Sequence, residues 1–304
     1  MVNQPKMPAT APRIRGLESG IRRRGWLFVL LPTFLILMMS FYPMVQAFLL
    51  SLQKGKGVNL TWTGFDNYVR LLTKDKLFFT ALGNTFYYLV LQVPIMLITA
   101  LILAAMLNDK TLKGKGIYRT LIFLPCATSL VSCAIIFKQI FSANGFINSM
   151  LTRFGWIAEP LPFLTNDSWA KIVIVITMLW RWTGYNMVFY LAGLQNIDSQ
   201  VYEAARIDGA SWMQQFKSIT VPLLRPIILM TTVMSTNGTL QLFDEVRNMT
   251  DGGPGNATTT LSHYIYKLTF LNVPQFGYAS TVAYLIFIMV AILAFIQMKV
   301  GEDK

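Results

Sequence analysis

Aromatic and amide side chains follow one another closely in an apolar segment in the second half of the chain. They are Trp180, Trp182, Tyr185 and Asn186. The C–H face of a sugar ring stacks on aromatic rings, and its hydroxyl groups need hydrogen-bond donors and acceptors. A helix that presents these side chains would therefore suit the binding of a neutral sugar.

The same segment contains a cation, Arg181, ten residues after Lys171. Ten residues span about 15 Å along a helix, which would place Arg181 near the middle of a bilayer. A charge at that depth is costly and usually faces a bundle interior or a water-filled path. Two interpretations stay open: Arg181 lies in a substrate path, or it is a structural residue paired with Asp244 or Glu245.

A polar stripe occurs in the next apolar segment. Asn237, Gln241 and Asp244 stand at positions i, i+4 and i+7, which fall on one face of a regular helix. A polar stripe in an apolar segment indicates a helix contact or a substrate path.

Several kinds of catalytic site are excluded by the residues that the chain lacks. The phosphate-binding pattern G-x-x-x-x-G-K-[ST] does not occur, so the chain cannot be its own ATPase. His263 is its single histidine, which excludes a histidine-based metal cluster or catalytic triad in any ordinary form. We therefore expect no enzyme activity, no metal and no cofactor.

Composition indicates an integral membrane protein. The 304 residues are 54% hydrophobic and 13% charged, whereas about 25% is usual in soluble domains. The net charge of +12 has an ordinary explanation, because cytoplasmic loops of membrane proteins accumulate Lys and Arg. No basic stripe with interleaved aromatic residues is present, so nucleic acid is not an expected partner.

Six apolar segments are each long enough to cross a bilayer as a helix. They are Trp26 to Leu50, Leu82 to Leu107, Ile117 to Phe141, Ala170 to Leu194, Leu223 to Phe243 and Tyr278 to Met298. The expected fold is an all-α integral membrane protein with six transmembrane helices.

The distribution of Lys and Arg predicts that both termini are cytoplasmic. On this topology, residues 1–24 are a cytoplasmic tail, and residues 25–304 are a transmembrane domain with a cytoplasmic loop at about 195–225. The first outer loop weakens the contrast because it is itself basic. Its cations are Lys54, Lys56, Arg70, Lys74 and Lys76.

The cytoplasmic loop after the fourth segment has a distinctive sequence, VYEAARIDGASWMQQFKSITVPLLRP, from Val201 to Pro226. Asp198 or Ser199 can cap a short helix, which would break at Asp208 and Gly209. Trp212, Phe216 and Ile219 then recur at helical spacing up to Pro222, so a compact helix-turn-helix is expected. Alternatively, the loop is a connector that packs on its own bundle.

This loop resembles the EAA loop of binding-protein-dependent transporter permeases. The matching residues are Glu203, Ala204, Ala205, Asp208, Gly209, Ala210, Phe216, Ile219 and Pro222. The resemblance implies a type I ABC importer permease-like bundle in the bacterial inner membrane. It also implies that the loop is a coupling helix in a cleft of an ATP-binding cassette subunit. A second permease subunit and an extracytoplasmic sugar-binding protein are the other implied partners.

Further residues make the chain similar to the carbohydrate branch of this family, and within it to the larger permease of maltose, arabino-oligosaccharide and lactose importers. They are Leu194 to Asn196, Trp180 to Trp182 and Thr250 to Leu261. In such permeases the substrate is held midway across the bilayer, and Tyr185 is at the matching distance before the EAA loop. The outer insertion and two additional N-terminal helices of the maltose permease are absent from the sequence.

Three other functions are alternatives for a chain of this composition. A permease for another polar solute, such as glycerol-phosphate, would share the EAA loop. A secondary transporter would be expected to show inverted repeats and titratable midplane carboxylates, but no repeat is visible and only Asp244 and Glu245 lie near a span. A structural scaffold or a channel subunit would not need the EAA loop.

Overall fold

A computed structural model describes residues 15–109, 111–271 and 273–302, with side chains described between Gly25 and Gly301. It divides into two compact units, of which the first ends at Leu49 and the second begins at Leu50.

The first unit is a helical segment with one irregular turn. Helix α1 (Arg15–Ile36) continues through a π-helical turn (Leu37–Phe41) into α2 (Tyr42–Ser51). Residues Gly25–Ser51 have the length and composition of a membrane span, and the most apolar part of this segment is not buried. Apolar side chains such as Phe28, Leu31 and Phe34 are exposed, as is typical of a helix that contacts lipid or another chain.

The second unit begins with a β-hairpin, in which β1 (Gln53–Lys56) pairs antiparallel with β2 (Asn59–Trp62). Helices form most of the rest. They are α3 (Asp66–Lys74), α4 (Lys76–Asn108), α5 (Lys115–Ala127), α6 (Leu130–Ile140), α7 (Phe146–Arg153), α8 (Asp167–Gln195), α9 (Ser199–Ile207), α10 (Trp212–Gln215), α11 (Val221–Leu223), α12 (Arg225–Leu240), α13 (Asp244–Met249), α14 (Leu261–Tyr266) and α15 (Phe276–Glu302). Two further π-helical turns are Phe216–Thr220 and Lys267–Leu271.

Helix α8 is the centre of the second unit because α4, α5 and α12 all pack on it. Small residues permit these close approaches. A Cβ atom added at Gly184 would lie 1.9 Å from the Ile122 carbonyl oxygen of α5. One added at Gly193 would lie 2.3 Å from the Ile227 side chain of α12. The sequence of α8 thus sets how near its neighbours lie.

Among the described residues, four helices have the length and composition of a membrane span: Gly25–Ser51, Lys76–Asn108, Asp167–Gln195 and Phe276–Gly301. Two bent pairs pass the same test jointly, Lys115–Ala127 with Leu130–Ile140 and Trp212–Leu223 with Arg225–Leu240. Counting each bent pair as one span gives six, the number expected from the apolar segments.

The third expected span differs from a single helix over Ile117 to Phe141. Its two helices meet at an angle of 99°. Pro125 lies in the last turn of α5, and the Thr128 hydroxyl donates to the Pro125 carbonyl at 2.7 Å just before α6 begins. The fifth expected span is also shorter than Leu223 to Phe243, because α12 ends at Leu240 and is bent by 71° from the helix before it. Apolar length alone does not reveal such breaks.

Candidate functional site

A cavity of about 320 Å³ lies between α4, α8, α12 and α13. This volume is at the lower end of the range usual for small-molecule sites. Its polar and aromatic lining residues are Gln92, Trp182, Tyr185, Asn186, Ser235, Thr239, Gln241, Phe243, Asp244 and Glu245. Met96, Leu130, Met178, Met234, Gly238 and Leu242 complete the wall.

One face of α8 contributes Trp182, Tyr185 and Asn186, which are spaced i, i+3 and i+4 and so point the same way. The Trp182 and Tyr185 rings meet edge to face, with centroids 5.9 Å apart. The buried Asn186 amide donates to the Trp182 carbonyl at 3.1 Å and accepts from Ser235 at 3.5 Å. Two rings and an oriented amide therefore share one wall, as the sequence predicted.

The opposite wall is built by the end of α12 and by α13. Gln241 and Asp244 line the cavity, whereas Asn237 lies beside it and accepts a hydrogen bond from the Gln241 amide at 2.6 Å. These three residues do not share one helix face, because α12 ends at Leu240 and a new helix begins at Asp244. The expected regular polar stripe is wrong for that reason.

Four polar lining residues did not stand out in the sequence as substrate contacts, namely Gln92, Ser235, Thr239 and Glu245. Gln92 lies in α4, and its amide oxygen accepts from the Thr239 hydroxyl at 3.0 Å. Glu245 is 4% exposed and follows Asp244 in the first turn of α13. An isolated amide in the apolar run of α4 is the signal that would have identified Gln92.

Arg181 lies outside the cavity lining and is 4% exposed. Its guanidinium donates to the Pro125 carbonyl at 3.2 Å, the Thr128 hydroxyl at 3.1 Å and the Cys126 carbonyl at 3.4 Å. These acceptors lie where the bend between α5 and α6 interrupts the helical hydrogen bonds. In the described part of the chain, no carboxylate lies within 4 Å of this guanidinium, so the alternative pairing with Asp244 or Glu245 is not observed.

Trp180 also lies outside the cavity lining. Its indole is half exposed and packs on the Phe137 ring of α6, with centroids 5.1 Å apart. Successive residues of a helix point about 100° apart. Of the three neighbours Trp180, Arg181 and Trp182, only Trp182 therefore reaches the cavity.

At one end of α8 lies a segment of short helices, residues 198–220, which we call the coupling segment. The Asp198 carboxylate caps α9 by accepting from the Gln200 amide at 3.0 Å. Gly209 has a φ of +76°, a conformation that suits glycine at a helix end. Ser211 and Gln214 then form a capping box at the start of α10. The expected helix-turn-helix is present.

The coupling segment packs on the bundle through Phe216, which contacts a buried cluster of α4 and α8 side chains, and most of its other residues are exposed. Within the segment, the Tyr202 hydroxyl lies 3.0 Å from that of Thr220, and the Trp212 and Phe216 rings stack at 5.3 Å. The residues that match the EAA pattern, Glu203, Ala204, Asp208 and Gly209, are exposed, and Ala205 is partly buried. Ile207 at the end of α9 is 86% exposed.

A second cavity of about 570 Å³ separates the coupling segment from the ends of α4 and α5. Glu203 and Arg206 line it from α9, Asp109 lines it from the connection between α4 and α5, and Lys115 and Arg119 line it from α5. Movement of α9 would therefore change the surroundings of the end of α4 and the start of α5.

Comparison with known proteins identifies the family. Residues 15–301 match the family described as the binding-protein-dependent transport system inner membrane component. The chain belongs to this family. Family members are transport permeases and not enzymes, and they reside in the inner membrane.

Two relatives within the family are informative. The chain is 52% identical to the lactose transport system permease protein of Rhizobium radiobacter, over 92% of this chain and 94% of that protein. It is 31% identical to the arabinooligosaccharides transport system permease protein of Halalkalibacterium halodurans, over 89% of this chain and 86% of that protein.

Solved structures agree with this assignment. A chain of a bacterial ABC transporter that imports the acidic polysaccharide alginate superposes with a TM-score of 0.82, at 25% identity, over 95% of this chain and all of that chain. A second structure of a bacterial alginate ABC transporter, in complex with a pentasaccharide-bound periplasmic protein, gives 0.77 at 26% identity over 93% of this chain and 94% of that chain. The fold is that of an ABC importer permease.

Proposed function

We propose that this chain is the membrane-spanning permease of an ATP-binding cassette importer for a neutral sugar of the oligosaccharide class. The observation that carries this proposal is the cavity wall in which the Trp182 and Tyr185 rings adjoin the Asn186 amide. Rings can stack on the apolar face of a sugar while amides bond its hydroxyls. The names of the lactose and arabinooligosaccharide permeases support the same substrate class.

The Asp244 carboxylate favours a neutral substrate over an anionic one. Asp244 lines the cavity and is only partly buried. An anionic solute would meet like charge in a site partly shielded from water, which is unfavourable. This argues against glycerol-phosphate and against an acidic sugar such as that imported by the structurally similar alginate transporter.

The coupling segment is proposed to dock on a separate ATP-binding subunit that hydrolyses ATP. Exposed Glu203 can bond a basic residue of that subunit, Ala204 permits close approach, and Ile207 offers an apolar contact. Since each chain has one such segment, we propose a pore made with a second, distinct permease. A sugar-binding protein would deliver substrate from the opposite side of the membrane.

This arrangement places the coupling segment and both termini in the cytoplasm. The proposed organisation is a tail of residues 1–24 and a transmembrane domain of residues 25–304. Asn237 and the cavity residues Gln241 and Asp244 would border the substrate path. Trp180 and Arg181 would contribute to the path only indirectly, through the packing of α8 on its neighbours.

Reconstitution tests the proposal directly. The chain is co-expressed with the second permease, the ATP-binding subunit and the binding protein, and uptake of labelled lactose into proteoliposomes is measured. We expect uptake that needs both ATP and the binding protein, and little uptake of an equally sized sugar acid. Uptake driven by an ion gradient without ATP would instead identify a secondary transporter, and preferred uptake of the sugar acid would refute the neutral substrate.

A further inference from the structure

A third cavity, of about 530 Å³, lies at the end of α4 opposite the coupling segment. It is an open pocket lined by α3, the first turn of α4, α14 with the π-helical turn after it, and the first turn of α15. The residues that line it are Arg70, Lys74, Asp75, Lys76, Leu77, Tyr264, Lys267, Leu268, Gln275 and Tyr278. This cavity is separate from the proposed sugar path, and its residues have no part in the function proposed above.

Four cations and one carboxylate line this cavity, and the carboxylate is already fully engaged. Asp75 accepts hydrogen bonds from the Tyr264 hydroxyl at 2.5 Å, the Tyr278 hydroxyl at 2.6 Å and the Phe78 backbone amide at 2.9 Å. Burial acts to raise the pKa of Asp75, but these hydrogen bonds outweigh it, and the pKa lies below its ordinary value. Asp75 therefore stays ionised and holds the two tyrosines in place.

The cations remain available to a ligand. Within the described ranges, Arg70, Lys74, Lys76 and Lys267 form no ion pair within 4 Å. Arg70 stacks over the Tyr278 ring at 4.6 Å, which leaves its N–H groups free to donate. The Lys267 ammonium donates to Asn256 at 2.8 Å and Thr259 at 3.2 Å, which leaves one of its three protons for another acceptor.

An excess of cations is unusual in this position. Lys and Arg normally concentrate on the cytoplasmic side of membrane proteins, and this cavity lies on the other side in the proposed topology. Like charges gathered in one cavity repel one another unless an anion binds between them. Arg70, Lys74 and Lys76 of the first outer loop thus line one cavity together with Lys267.

Apolar side chains beside the cations indicate where the anion comes from. Helix α3 exposes Val69 and Leu72 next to Arg70 and Lys74, a combination typical of helices that lie at the membrane surface. Phe79, one turn into α4, is also exposed. Because α4 and α15 are both candidate spans that begin at the cavity, its cations lie near the level at which the bilayer presents its headgroups.

We propose that this cavity binds the phosphodiester of an anionic phospholipid in the leaflet opposite the coupling segment. Arg70, Lys74, Lys76 and Lys267 would bond the phosphate oxygens, and the lipid chains would lie along exposed Leu72 and Phe79. The bound lipid would link α3 to the starts of two membrane-spanning helices.

Lipid binding is measured by native mass spectrometry on the chain purified with its co-expressed partners, titrated with phosphatidylglycerol or phosphatidylcholine. The test variant is Lys74→Gln/Lys76→Gln, because both side chains are exposed and form no hydrogen bond with another described residue. The matched control is Lys54→Gln/Lys56→Gln, which removes two exposed cations from the neighbouring hairpin without touching the cavity.

The wild type should prefer phosphatidylglycerol, and the test variant should bind it about tenfold more weakly, since each Lys or Arg contributes appreciably to anionic-lipid binding. The control should bind like the wild type, and excess glycerol phosphate should not displace the lipid.

Equal binding of both lipids, or unchanged binding by the test variant, overturns the proposal. Displacement by glycerol phosphate would mean a soluble phosphate site instead. Unchanged lipid binding with weaker association of the sugar-binding protein would mean a protein contact.

Two features keep this test independent of misfolding and of transport. Equal binding of both lipids by the wild type would overturn the proposal even if a variant is poorly produced. Lipid binding to the purified protein also does not depend on which solute is carried, so failure of sugar uptake would leave the result intact.

Discussion

The coupling segment and the sugar cavity are held together by different kinds of contact. In the coupling segment the caps join residues two or three positions apart, such as Asp198 with Gln200 and Ser211 with Gln214. In the cavity, Thr239 bonds Gln92 across 147 positions of the chain, and Ser235 bonds Asn186 across 49. The first region can form its local structure early, whereas the second exists only when several helices have packed.

This difference has a functional consequence. An exposed residue of the coupling segment can be changed without disturbing the bundle, so its variants should report on partner binding alone. A cavity residue belongs to the packing of four helices, so its variants must be separated into effects on assembly and effects on substrate. The predictions below test that division, beginning with the largest expected effect.

Glu203→Lys should abolish sugar uptake and substrate-stimulated ATPase activity while leaving the protein in the membrane. Glu203 is exposed on α9, and the change replaces a carboxylate that can bond the ATPase by a cation that repels the same partner. Transport in proteoliposomes and the amount of chain in membranes are measured together. Gln200→Lys places the same new charge on α9 outside the matched motif and should be nearly neutral. Undiminished transport by Glu203→Lys would remove the coupling role from α9.

Arg181→Met should reduce the yield of folded complex severely. The substitution removes the guanidinium that donates to the Cys126 carbonyl, and it leaves the Pro125 carbonyl with Thr128 as its remaining donor. A buried group that loses its hydrogen bond costs about 1 to 3 kcal/mol. Size-exclusion chromatography of a fluorescent fusion measures the yield. Arg181→Lys, which keeps a donor, should recover part of it. Normal yield of Arg181→Met with lost uptake would instead place Arg181 in the substrate path.

Tyr185→Ala should lower uptake about 5- to 150-fold while complex yield and basal ATPase activity stay near wild type. The estimate corresponds to the loss of about 1 to 3 kcal/mol of contact with the sugar. Tyr185→Phe should retain most of the ring contribution. The control is Val188→Ala, an exposed residue of α8 that does not line the cavity. A fall in yield equal to the fall in uptake would show that Tyr185 only packs between helices.

The smallest expected effect is a pH dependence at His263, which lies in α14 outside the candidate spans. Its Nε2 atom lies 3.1 Å from the Asp251 carboxylate, and its buried Nδ1 has no partner in the described part of the chain. Burial and the nearby Lys267 lower the pKa of His263 below its ordinary value of 6.5, more than Asp251 raises it. The unfolded chain therefore binds a proton more readily, so stability falls as pH drops below about 6.5.

Thermal unfolding of the purified complex is measured at about pH 7.5 and at about pH 5.5, on either side of the ordinary histidine pKa, and checks this sign. The wild type should lose more stability at the lower pH than His263→Gln does, because glutamine does not titrate. An equal loss in both proteins would assign the pH dependence to other groups.

The local features of the coupling segment could be predicted from the sequence. Asp198 caps α9, the helix stops before Gly209, and Trp212 pairs with Phe216, all as their types and spacing indicated. The face formed by Trp182, Tyr185 and Asn186 was also predictable, because one regular helix carries all three. In each case the determining information lies within a few turns of chain.

Other features of the site depend on where helices stop, which spacing alone does not reveal. Asn237 and Asp244 would share a face only if α12 continued beyond Leu240. Arg181 and Trp182 are adjacent in sequence but face different neighbours, and the acceptors of Arg181 exist only because the third span is bent. The contribution of Gln92 required knowing that α4 packs against the end of α12.

The bend between α5 and α6 also bears on how the protein is made. Arg181 is synthesised 56 positions after Pro125, the residue to whose carbonyl its guanidinium donates. Until α8 is inserted, the Pro125 and Cys126 carbonyls lack this donor. A backbone group with unsatisfied hydrogen-bonding capacity is strongly disfavoured in lipid. Stable insertion of the third span thus waits for the fourth, so a chain truncated before α8 should be retained by the insertion machinery or degraded.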